Sequence, residues 1–137
     1  MPELKPELSG RNRYWISKHR YYELKHYCLQ YPEWVKLLSE LEIKMGAAKL
    51  GSIHGTDPSD PTAKIAQMRV DLQRALHLIQ QTATDASTEL GIYILSAVTE
   101  GIPFTQLQTM YDMPCGKDMY YDVYRKFFWL LSQRKGI

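Results

Sequence analysis

Cations and tyrosines crowd the last stretch of the chain, MPCGKDMYYDVYRKFFWLLSQRKGI, residues 113–137. Such groups act by charge and hydrogen bonding rather than by covalent attack. Arg125, Lys126, Arg134 and Lys135 suit phosphate oxygens, a contact that is independent of base sequence and weakened by salt. Lys117, Asp118, Tyr120 and Tyr121 lie earlier, where side chains that enter a groove meet base edges. The competing reading of the same aromatic run is a core helix with no ligand. Cys115 follows Pro114 at a helix start, where the helix dipole can lower a thiol pKa. A nucleophile also needs a base, and the nearest histidine in sequence is His77. Cys115 therefore reads as a turn residue.

Other chemistries find less support. The cysteines, Cys28 and Cys115, are far apart, and His19, His26, His54 and His77 show no metal-ligand spacing. No acid–base pair, nucleophile set or phosphate loop is visible, so no enzyme, metal or cofactor is expected. The segment RNRYWISKHRYYELKHY (residues 11–27) mixes cations with aromatics. That mixture suits stacking and phosphate contact, although a core helix with a basic exposed face is the favoured reading.

The terminal residues need a helix to hold them, and the spacing supplies one. Placed at 100° steps, Tyr120, Tyr124, Phe127 and Leu131 fall within about 60° of one another, flanked by Val123 and Leu130. This is the expected core face. Asp118, Asp122, Arg125, Lys126 and Gln133 cluster opposite, with Lys117 and Tyr121 at the edge. Trp129 falls on the polar side. A large aromatic there implies a cover, either the N-terminal helices or a second protein surface.

The elements before it also read as helices. Residues 1–13 look like a flexible arm, with two prolines, Gly10 and little that is apolar. Residues 14–50 form an N-terminal helical pair. Ser17 caps the first, in which Tyr21, Leu24, Cys28 and Tyr31 recur at helical spacing. Pro32 opens the second, with Trp34, Leu37, Leu38, Leu41 and Met45 as its stripe. GSIHGTDPSDP, residues 51–61, is the linker. Residues 62–137 form a further helical domain, with Asp60 as N-cap and Pro61 at the first helical position. Ile65, Met68, Leu72, Ala75, Leu76 and Ile79 make a narrow face for a partner helix, in the chain or in a dimer. A helix over 88–100, capped by Asp85 or Ser87, buries Leu90, Ile94, Ala97 and Val98 and stops at Gly101. A short helix follows with Phe104, Leu107 and Met110 on one side. The fold class is all-α, a helical bundle. Its last part, about residues 87–135, has the order of a helix-turn-helix.

Composition agrees with a folded chain. Apolar residues make up 45% and charged residues 23% of 137, which argues against wholesale disorder. Net charge is only +2 but uneven. Residues 1–28 and 117–137 each carry +3, and each of the two segments between them carries −2. Basic ends suit a polyanion. The first ten residues lack an apolar signal core, and no apolar run approaches membrane length, so a cytoplasmic protein is expected.

AVTEGIPFTQLQTMYDMPCGKDMYYDVYRKFFWLL resembles the helix-turn-helix of phage-encoded late transcription regulators of the RinA and ArpU type, themselves similar to region 4 of sigma factors. The likeness covers a bit over a third of the chain: a Gly-ended helix, a short helix, a turn, then paired aromatics before Tyr124, Arg125 and Lys126. Cys115 and Gly116 stand where the family usually has a Ser or Thr cap. The resemblance implies sequence-specific duplex binding that promotes transcription of phage genes in a bacterial host; the 62–84 helix and the N-terminal pair would then support the domain, dimerise or touch RNA polymerase. Two rivals remain. One is an interaction module that inhibits or redirects a host protein, favoured by Trp129 and the Tyr-rich N-terminus. The other is a small terminase-like DNA-packaging subunit.

Overall fold

In the computed structural model, residues 12–51 and 61–137 are described, and for residues 48–51 the backbone alone. The expected arm over 1–13 lies outside the described residues up to 11, and the linker outside them over 52–60. Among the described residues six helices follow one another: α1 (Lys18–Leu29), α2 (Tyr31–Gly51), α3 (Pro61–Ala86), α4 (Gly91–Glu100), α5 (Phe104–Met110) and α6 (Lys117–Lys135). No strand occurs among the described residues, so the chain is all-α as the periodicity requires.

The helices form two compact units. One combines α1 with the end of α3 and with α4, α5 and α6; the other is residues 31–77. This division departs from an N-terminal pair over 14–50. Only Gln30 separates α1 from α2, yet α1 belongs with α4 and α6. The reason lies in its apolar face: Tyr21, Leu24 and Cys28 are fully covered. α2 buries only Leu41 completely among its described side chains.

In the unit 31–77, α2 and α3 are linked by Arg69 Nε, 3.5 Å from Glu42 Oε1. Leu41 and Leu76 are buried there. Val35, Ile43, Met68 and Val70 stay exposed, Ile43 by 70%.

The larger unit is built on short apolar repeats and specific helix ends. Ser17 caps α1, its Oγ accepting from the Arg20 N–H at 3.4 Å. Near the end of α3, Ile79, Thr82, Ala83 and Ala86 are buried. Ser87 Oγ accepts from the Leu90 N–H at 3.0 Å, and α4 starts at Gly91, three residues later than 88. Asp85 lies inside α3 instead of capping α4. Gly91 permits a close approach: a Cβ there would sit 3.1 Å from the Ala83 carbonyl oxygen. α4 ends at Gly101, whose left-handed φ of 70° turns its N–H onto the Ala97 carbonyl at 3.0 Å. In α5, Phe104 and Leu107 are buried but Met110 is half exposed. Steps of three residues drift by about 60° each, which carries Met110 off the buried side.

Candidate nucleic-acid interface

The C-terminal elements place the cationic residues. Gly101 stops α4, and Pro103 in extended conformation opens α5, its carbonyl accepting from the Gln106 and Leu107 N–H groups at 3.0 Å. α5 ends at Tyr111, also extended. Residues 111–116 then connect α5 to α6. Gly116 is the N-cap of α6, with no side-chain cap, and its carbonyl accepts from the Tyr120 N–H at 3.1 Å. Lys117 is therefore the first residue of α6, followed by Asp118, whose charge suits the positive end of the helix dipole.

The buried side of α6 is wider than its spacing suggests. Tyr120, Tyr124, Phe127 and Leu131 are buried as expected, and so are Tyr121 and Phe128. The two additions lie on the flank that neighbouring helices cover. The Phe128 ring meets Tyr21 of α1 at 5.1 Å, and the Tyr121 ring meets Phe104 of α5 at 6.1 Å. Tyr120 packs on Phe104 at 4.7 Å. Tyr120 is 1% exposed and Tyr121 9%, which corrects their assignment as base-contact residues. Their rings are held by other aromatics and face no groove. Burial pushes the Tyr120, Tyr121 and Tyr124 phenols upward, so they stay neutral at ordinary pH. The Tyr21 and Tyr124 hydroxyls satisfy one another at 3.1 Å.

Two of the four phosphate candidates also make contacts elsewhere. Arg134 Nη2 lies 2.7 Å from Asp85 Oδ2, and its Nη1 donates to Thr82 Oγ1 at 3.2 Å. It ties the end of α6 to α3. The Gln81 side-chain amide, then Arg134, hold the Asp85 carboxyl below its ordinary range. Lys135 Nζ sits 4.8 Å from the centre of the Tyr27 ring. Arg134 would have to give up Asp85 and Thr82 to grip a phosphate with the same nitrogens, a second correction, whereas Lys135 over a ring face keeps its ammonium donors for one.

Also outward on α6 are Lys117, Asp118, Met119, Asp122 and Gln133, all exposed, and Arg125 and Lys126, half-buried. Trp129 is half-buried too, and the structure supplies its cover. The Tyr14 ring lies against it at 5.5 Å, tilted by 59°. The cover thus comes from the segment ahead of α1, where Tyr14 and Ile16 are themselves buried.

Arg20 is a residue that sequence reasoning missed. Its Nε donates to Ser132 Oγ at 3.0 Å, and its Nη2 to the Ser132 carbonyl at 2.9 Å and to the Gly136 carbonyl. It closes the carbonyl end of α6, where a cation is favoured. Only its place three residues after Ser17 was visible, and that says nothing of a partner more than a hundred residues away. Cys115 is half-buried; burial and then the Glu89 charge push its thiol up, opposite to the shift a reactive cysteine needs. Among the described residues, no three of His, Cys, Asp and Glu gather as a metal site, and no helix is long and apolar enough to cross a membrane.

No protein-family model, curated protein or solved structure matches the chain.

Proposed function

We propose that this protein is a DNA-binding transcriptional regulator of phage or prophage origin, reading duplex DNA through a helix-turn-helix formed by α5 and α6. The observation that carries the reading is the division of α6 into two faces. Six aromatic and aliphatic side chains anchor one face. The other presents Lys117, Asp118 and Asp122 near the N-terminal end, with Arg125 and Lys126 one to two turns on. A recognition helix needs this arrangement, because its first turns enter the groove while its back is held by the fold. Lys117 would donate to guanine O6 and N7, and Asp118 would accept from a cytosine amino group. Arg125 and Lys126 would grip phosphates. The likeness of residues 87–135 to phage late regulators supports the same reading and suggests RNA polymerase as a further partner.

Residues 31–77 favour a second reading, a protein-interaction module. Val35, Ile43, Met68 and Val70 are exposed along the helices of that unit, the kind of surface that a partner or a second copy covers. Fluorescence anisotropy separates the two. Random-sequence duplex at low salt is expected to bind at micromolar protein or below. Absence of binding at that concentration would transfer the proposal to the interaction module.

A further inference from the structure

Trp129 and Tyr14 form an aromatic pair on the outward side of α6. Cations border that pair from both of its strands of chain. The Arg13 guanidinium lies over the Tyr14 ring, 4.6 Å from its centre. Arg125 is one helical turn ahead of Trp129 on α6, and Lys126 three residues ahead, so both lie beside the indole. Arg13 is exposed, and no acid pairs with it among the described ion pairs. Asp122, one turn before Arg125 and Lys126, is the acid of α6 that shares this neighbourhood and reduces its field.

The arrangement has a reason beyond cover for an indole. An arginine at the edge of a free arm would cost conformational entropy to place on a ligand. Here the preceding-helix segment is already fixed. Asn12 Oδ1 accepts from the Tyr14 N–H at 2.8 Å, the Asn12 carbonyl accepts from the Trp15 N–H at 3.0 Å, and Tyr14 is seated on Trp129. A guanidinium stacked on a seated ring keeps its N–H donors at the ring edge, free for oxygen acceptors.

Resting on the DNA-binding reading, we propose that Asn12–Tyr14 is a second phosphate-binding element. Arg13, positioned by the Tyr14–Trp129 contact, would hold the sugar-phosphate backbone of duplex DNA together with Arg125 and Lys126. The contact surface then spans two distant parts of the chain.

The test is a salt titration of the full chain against a fluorescein-labelled random duplex, read by anisotropy. Arg13→Ala changes an exposed side chain and leaves the fold intact. It is expected to weaken binding several-fold and to reduce the slope of log K against log salt by about 0.9, one phosphate contact. In a Tyr14→Ala background, checked for native helix content by circular dichroism, Arg13→Ala should cost much less, because the arginine has lost its seat. An unchanged slope in Arg13→Ala, with a reduced slope in Arg125→Ala, overturns this inference and leaves the DNA reading standing. A full Arg13 effect in the Tyr14→Ala background overturns the positioning by the aromatic pair. Absence of duplex binding by the wild-type chain overturns both readings together.

Discussion

Gly91 offers a quantitative test of how closely α4 approaches α3. A Cβ at this position would lie 3.1 Å from the Ala83 oxygen, and 3.3 Å from both the Ala83 carbonyl carbon and Thr84 Cα. All three are backbone atoms of a helix, which cannot move aside as a flexible side-chain tip can. Overpacking of this kind costs about 1–3 kcal/mol. Replacing glycine by alanine in a helix returns up to about 1 kcal/mol, and less at the first helical position. Gly91→Ala should therefore lose about 1–2 kcal/mol, or roughly 3 °C in Tm for each kcal/mol in a chain of this size. Gly46, inside α2, is the matching control. It is exposed, and a Cβ there would meet nothing within 4 Å. Gly46→Ala should gain about 0.5–1 kcal/mol from backbone entropy alone. Urea unfolding of the two variants beside the wild type measures both. A Gly91→Ala variant as stable as Gly46→Ala would refute the close approach.

Tyr124→Phe removes the buried partner of the Tyr21 hydroxyl and should cost about 1–2 kcal/mol in the same urea series. Cys28, fully buried, has its thiol pushed well up by burial, so the unfolded chain ionises it first. Folded stability should then fall by about 1.4 kcal/mol per pH unit for this group once pH passes about 9, with Tyr120 and Tyr124 adding to the fall above about 10. Cys28→Ala should flatten the slope between those two pH values; an unaltered slope would contradict the buried thiol. Asp85 runs the other way. Its folded pKa is lowered, so its contribution is present above about pH 4 and is lost as pH falls through the lowered value, and Asp85→Asn should remove that part of the acid limb of urea stability.

Elements whose signals are local were legible in the sequence. Pro61 opens α3 and Gly101 closes α4, because a ring-fixed φ and a left-handed glycine act on their own neighbourhoods. Tyr120, Tyr124, Phe127 and Leu131 announced a buried stripe by their period. Tyr121 and Phe128 did not, since their burial depends on which helices lie against that flank of α6. The same limit hid the grouping of α1 with α4 and α6. A one-residue break at Gln30 cannot say which partner the Tyr21, Leu24 and Cys28 face will choose. The free or engaged state of a surface cation is also non-local. Arg125 and Arg134 look alike in sequence, yet Asp85 and Thr82 claim only Arg134. Trp129 is the instructive case: its position on the polar side demanded a cover, and the cover, Tyr14, lies at the opposite end of the chain.

The claim that α6 grips duplex DNA is tested most directly by salt titrations of the wild type and of the Arg125→Ala, Lys126→Ala double variant. Both cations lie on α6 outside its buried aromatic face. The account predicts weaker binding of the variant to every duplex, and a slope of log K against log salt that is smaller by about 1.8, two phosphates' worth. Equal affinity and an equal slope in the two proteins would contradict it.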